Sequence, residues 1–198
     1  MADKDSEEVL RLLRKHRRVT LVGRITRESI EKVGEELIKL DTRLHEPITL
    51  IIKSDGGEAN AALQLLDVIG ALNSPVDALA FGDCASMAVD VIQMCRKRML
   101  MPSARLLVHY IRHSRLWIFD DAERFEADLT YFRQQSLELL ARRYSLYEKR
   151  TGHSREKLAE LFRQGEVHSV YFTAEQAIEL KLADGITKEF KFFPSADE

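Results

Sequence analysis

Three strand-like runs, each followed by a loop and then a helical pattern, constrain this chain more than any other feature. Ile48–Lys53 is the most β-rich run; it stops at Ser54-Asp55-Gly56-Gly57 and gives way to an Ala- and Leu-rich helical pattern from about Glu58 to Asn73. Val76–Phe81 alternates as a strand does and passes through Gly82-Asp83-Cys84-Ala85 to Ser86, after which Ala88–Cys95 reads as a buried helix. Earlier, Val19–Gly23 is a strand closed by glycine, and Thr26–Glu31 starts a helix with Ile30, Val33, Leu37 and Leu40 on one face. The order β-α-β-α-β-α predicts an α/β fold with a parallel or largely parallel sheet and right-handed crossovers. In such folds the loops after the strands share one edge, where ligands bind, so Gly56-Gly57 and Ser86 are expected at one site.

Ser86 admits two readings. Small residues ahead of it keep bulk away from the turn, so its hydroxyl stands at a helix N-terminus among unpaired N–H groups, which suits a nucleophile beside an oxyanion site. The plainer reading is an ordinary N-cap serine. Gly56-Gly57 is similarly either a plain turn or a place where backbone N–H groups approach a substrate closely. His109, at the end of the strand-like run Arg105–Tyr110, is a candidate base that reaches the same edge; a structural histidine is the alternative. His16, His45, His113, His153 and His168 lie in polar or turn-like surroundings and are assigned to the surface. No two histidines have helix-face metal spacing with a nearby carboxylate, so no metal is expected.

Composition excludes several classes. Thirty basic and thirty-two acidic residues leave a net charge of −2, so nothing global steers the chain to nucleic acid or to an anionic membrane. Cys84 and Cys95 lack a C-x-x-C pairing and read as small core hydrophobes of a reduced protein. The charged N-terminus and the lack of long apolar runs predict neither signal peptide nor membrane span, hence a cytoplasmic location. With 198 residues, 45% of them hydrophobic, a single domain over 1–198 is expected.

An amphipathic helix over 7–18 ends in the basic run Arg14–Arg18, read as a solvated helix end. A long helix is predicted from Asp120 to about Arg150, with Phe125, Leu129, Phe132 and Ser136 in one stripe continued by Leu139, Leu140 and Tyr144. Ser154 starts a shorter helix to about Arg163, and Thr173-Ala174-Glu175-Gln176 is a capped start to another, ending near Lys181. Asp184–Thr187 turns into a last short strand, and 194–198 reads as a disordered tail.

Taken together, Ser54–Gly57, Gly82–Ala88, Leu107-Val108-His109, Tyr171–Ala177 and Leu180–Asp184 resemble the proteolytic subunit of Clp protease over about residues 7 to 190. The resemblance implies a crotonase-like α/β fold, a spiral of ββα units with a projecting handle helix at about 120–150. It implies a serine endopeptidase with Ser86 as nucleophile, His109 as general base, and an oxyanion site from the backbone N–H groups of Gly57 and Met87, Gly56 supporting the turn. It further implies a homo-oligomeric chamber of two stacked heptamers acting on peptides or unfolded protein. No cofactor is expected in the subunit; ATP enters only through a partner AAA+ unfoldase.

Four departures from the family pattern bear on this. Ser169 stands where the family has its third catalytic residue, an aspartate, and Glu166 or Asp184 are the carboxylates available to replace it. Asp55 replaces the proline before Gly-Gly, and Tyr110-Ile111 replaces Gln-Pro after the histidine, which predicts a different substrate groove. His113–Ile118 replaces the glycine-rich segment before the handle, and little of an N-terminal axial segment precedes the first helix, which bear on ring number and on dependence on an unfoldase. Two rival readings follow: a catalytically silent structural subunit, favoured by Ser169, and a crotonase-type acyl-CoA enzyme.

Overall fold

The computed structural model describes residues 2–110 and 122–188. The chain alternates as the sequence predicts: α1 (Ala2–Lys15), β1 (Arg18–Val22), α2 (Arg27–Asp41), β2 (Ile48–Ser54), α3 (Ala59–Ala71), β3 (Val76–Ala85) and α4 (Met87–Met94). Two short strands follow, β4 (Arg98–Leu100) and β5 (Arg105–Leu107), then the 30-residue helix α5 (Ala122–Thr151). The chain continues through α6 (Arg155–His168), β6 (Phe172–Thr173), α7 (Ala174–Glu179) and β7 (Gly185–Ile186). Capping boxes fix the starts of α2 and α7, with Thr26 and Thr173 accepting from the amides of Ser29 and Gln176.

The sheet runs β1-β2-β3-β4-β7 with every neighbour parallel. Parallel sheets have both faces covered, so their central strands are apolar throughout. Accordingly Ile48, Leu50, Ile51 and Ile52 of β2 are all buried, each contributing about 1.5–3 kcal/mol of transfer free energy. α2 and α3 pack together, and α3 packs against α4. One cluster of buried side chains extends from Val19 to Ala183, with Cys84 and Cys95 inside it as expected. Burial pushes their thiol pKa values up, to about 11 for Cys84 and about 12 for Cys95, so neither is a ready nucleophile.

β3 forks the sheet. Its first half, Ala78–Ala80, pairs with β4, and its second half, Asp83–Ala85, pairs in parallel with β5, which in turn pairs antiparallel with β6. The sequence pattern makes Gly82–Ala85 a turn; these residues continue the strand instead, because β5 supplies a partner ladder that no local pattern announces. Gly82 takes a left-handed φ of 59° where the strand changes partners.

α5 runs close to the expected handle. Its inner residues Leu139, Tyr144 and Tyr147 are buried, and Tyr131 and Leu137 stand exposed. The side chains of the expected stripe residues Phe125, Leu129 and Phe132, the segment His113–Ile118 and the tail 194–198 lie outside what the structure describes. α6 runs on to His168, past the end expected near Arg163. Its stripe Leu158, Leu161 and Phe162 is fully or almost fully buried. Phe162 meets Tyr147 edge-on at 5.3 Å and Tyr110 edge-on at 5.8 Å, which locks α6 to α5 and to the chain just after His109.

Candidate active site

The β3–α4 junction holds Ser86 in a conformation that an ordinary cap does not require. Ser86 has φ 56° and ψ −130°, a region that costs a non-glycine residue on the order of 1–3 kcal/mol. Its side chain makes no capping hydrogen bond to α4, which removes the N-cap reading. Instead the backbone holds it: Ser86 N donates to Leu107 O at 2.8 Å, carrying the β3–β5 ladder one residue further, and Val89 N donates to Ser86 O at 2.9 Å. The strained turn therefore presents the serine at the head of α4, between a sheet edge and a helix N-terminus.

The Gly-Gly loop after β2 packs directly on this turn. A Cβ on Gly56 would lie 2.7 Å from both Ala85 O and Ser86 Cβ and 3.1 Å from Met87 N, at a φ of 84°. Gly57 forms a parallel bridge with Ile25, and a Cβ there would lie 2.1 Å from Ile25 O. That bridge is made by Ile25 N to Gly56 O at 2.9 Å and Glu58 N to Ile25 O at 3.0 Å, so it does not use the Gly57 N–H. Met87 is the first residue of α4, whose opening amides have no partner within the helix. The fold thus brings Gly57 and Met87, the expected oxyanion pair, to the same edge as Ser86.

His109 follows β5 by two residues and is mostly buried, with its side chain 14% exposed. Its Nδ1 lies 3.1 Å from Oε2 of Glu166 on α6. A carboxylate accepts, so the contact suits the tautomer that carries its proton on Nδ1, in which Nε2 keeps the lone pair of a base. Ser169, expected at the aspartate position, does not face the imidazole nitrogen that Glu166 meets. It is the left-handed C-cap of α6, with φ 48° and its amide donating to Gly165 O. Asp184 is also excluded: Arg98 holds it through Nε at 3.1 and 3.2 Å and through Nη2. Burial raises the Asp184 pKa, but these bonds and the guanidinium charge outweigh it, so the net direction is down.

Glu166 arrives because of a residue that sequence reasoning passed over. Gly165 sits against the end of β5 so closely that a Cβ would lie 1.8 Å from Val108 O and 3.2 Å from His109 Cβ. A glycine there lets the helix approach the histidine strand, and the next residue then falls beside the imidazole. The available signal is the spacing Leu158, Leu161, Phe162, Gly165, a helical stripe that runs through the glycine.

Tyr110, which replaces the expected glutamine, bonds Ala159 O through its hydroxyl at 3.2 Å and packs on Phe162, so it belongs to the α6 interface. Of the histidines assigned to the surface, His45 lies 3.2 Å from Asp41, and His153 Nε2 lies 2.9 Å from Leu180 O. Among the described residues there is no cluster of ligands for a metal ion and no helix long and apolar enough to cross a membrane.

Comparison with known proteins bears on the fold and the family. The chain is 28% identical over 194 residues to ATP-dependent Clp protease proteolytic subunit 1 of Chlamydia muridarum, covering 96% of each chain. It is 23% identical over 193 residues to proteolytic subunit 2 of Treponema denticola, covering 96% of this chain and 91% of that one. The solved structure of a ClpP1 point mutant from Listeria monocytogenes superimposes with a TM-score of 0.75 over 91% of this chain and 96% of that one, at 21% identity, which establishes the shared fold. The family model described as Clp protease matches residues 2–190, nearly the whole length, and the chain belongs to the Clp protease family.

Proposed function

We propose that this serine peptidase of the Clp family cleaves peptide bonds with Ser86 as nucleophile, His109 as general base and Glu166 as the carboxylate that orients His109. The observation that carries this reading is the 3.1 Å contact between His109 Nδ1 and Glu166 Oε2. Nε2 takes the Ser86 hydroxyl proton as Oγ attacks the peptide carbonyl carbon, and the N–H groups of Gly57 and Met87 stabilise the oxyanion. Collapse breaks the C–N bond, and His109 returns the proton to the leaving amine. A water deprotonated by His109 then attacks the acyl ester, releasing the acid and restoring Ser86. Glu166 stabilises the imidazolium formed at each transfer.

The silent-subunit reading rests on Ser169; the contact of Glu166 with His109 supports the active reading instead. In this proposal the subunit folds as one domain over 1–198, needs no cofactor of its own, and works in the cytoplasm on peptides or unfolded protein. It forms a homo-oligomeric ring, as two stacked heptamers, and ATP is used only by a partner AAA+ unfoldase. Membership of the Clp protease family supports this assembly. Light scattering at micromolar concentration should give an oligomeric mass; a monomer would overturn the assembly.

A fluorophosphonate probe should modify Ser86, and Ser86→Ala should abolish both labelling and peptide hydrolysis. Labelling at another residue would defeat the catalytic assignment.

A further inference from the structure

A single guanidinium touches the helix that follows Ser86, the main chain of His109 and the helix that carries Glu166. Arg143, on α5, is buried with its side chain 3% exposed, and Asp90, on α4 four residues after Ser86, is completely buried. Arg143 Nε lies 3.1 Å from Oδ1 and 3.0 Å from Oδ2 of Asp90. Its Nη1 donates to His109 O at 2.9 Å. Its guanidinium carbon stands 4.6 Å over the ring of Phe162, on α6 one turn before Glu166.

A buried ion pair of this kind gives little net stability over apolar residues of the same volume, because both charges lose their hydration. What an apolar pair could not supply is a directed hydrogen bond to the main chain of His109. We propose that Arg143 is a positioning residue which, with Asp90 as counter-ion, holds the His109 backbone in register between the Ser86 helix and the Glu166 helix. The proposal rests on the triad reading above. It also makes the handle helix part of the site's support, since Arg143 is carried by α5.

Removing Arg143 alone leaves Asp90 buried and uncompensated, so Arg143→Met is expected to destabilise the fold and is not the informative variant. The paired variant Asp90→Val/Arg143→Met removes both charges at nearly the same total volume and keeps the fold, which melting and light scattering check. Its Ser86 labelling rate should fall by about 10- to 100-fold at a Tm within a few degrees of the parent, the scale of loss for an ångström-level misplacement. Arg143→Lys, which keeps the charge but not the forked reach, should also label more slowly than the parent. Because the effect passes through His109, the losses from the paired variant and from Glu166→Gln should combine to less than their product.

Labelling within twofold of the parent, or strictly multiplicative losses, overturns the proposal. Amide hydrogen exchange at His109 and Tyr110 separates it from the triad reading. Faster exchange in the paired variant, with a parent that does not label at Ser86, defeats the peptidase assignment and leaves the strut standing. Unchanged exchange defeats the strut whatever the labelling.

Discussion

On the nucleophile side of the site, the contacts that hold Ser86 are made by the backbone of neighbouring segments. Ser86 is held by the β3–β5 ladder and by the head of α4, and Gly56 packs against its Cβ. On the acid side, Glu166 comes from a helix 57 residues beyond His109, brought in by the buried stripe Leu158, Leu161 and Phe162 and by the bare backbone of Gly165. The first side is built into a turn whose geometry follows from small residues at fixed places. The second depends on how two remote elements dock. The place of Ser86 is therefore set by the turn itself, while the place of Glu166 depends on how α6 docks against the histidine strand.

The strongest way to break this comparison is to neutralise the acid. Glu166→Gln keeps the size of the side chain, but its amide cannot stabilise the imidazolium, and it can present a donor where an acceptor is needed. Peptide hydrolysis should fall by about 10²- to 10³-fold, below the ~10⁴ of the fully buried serine-protease template, because Glu166 is one-third exposed and partly screened by solvent. Hydrolysis by Glu166→Gln at the parental rate would show that another group orients His109.

A smaller loss is expected when the acid is kept and its delivery is disturbed. In Gly165→Ala the new methyl would sit 1.8 Å from Val108 O, so α6 must back away from the histidine strand. Overpacking of this kind costs about 1–3 kcal/mol, and the rate should drop by about 10- to 100-fold as Glu166 withdraws. In Gly56→Ala the clash is with Ala85 O and Ser86 Cβ instead. Histidine side-chain NMR should then report a changed His109 environment in Gly165→Ala and a nearly parental one in Gly56→Ala. If both variants disturb His109 alike, the two sides are not independent.

Legibility follows the same division. Residues whose role is set by neighbours in sequence were readable: the β2 and β3 apolar runs, the capping box at Thr173, and Ser86 at the strand–helix junction. Elements that exist only because a distant partner pairs with them were not. β4 and β6 have three and two residues, too few to carry a pattern, and they form against β3 and β5 respectively. The role of Gly165 is set by its contact with Val108, which lies far away in the sequence. The basic run Arg14–Arg18, read as a solvated helix end, also holds a tertiary role. Arg17, at φ 50°, donates to the carbonyls of Leu40, Leu44 and Glu46 and so fastens the α2–β2 loop.

The smallest expected effect comes from restoring the family's own residue. If Ser169 were an empty acid position, Ser169→Asp would raise activity by orders of magnitude. The structure places Ser169 past the end of α6 in a left-handed cap, and Nδ1 of His109 already faces Glu166. Aspartate is among the residues that tolerate that backbone conformation, so the variant should fold. Its carboxylate would add no second acceptor to a nitrogen with one proton to give. Peptide hydrolysis should therefore stay within about threefold of the parent, the residue of a modest field from one more charge near the helix end. In the Glu166→Gln background the same substitution tests reach directly: a rescue above about tenfold would mean that the Ser169 position can address the imidazole, and that the choice of Glu166 is one of two workable placements on this helix.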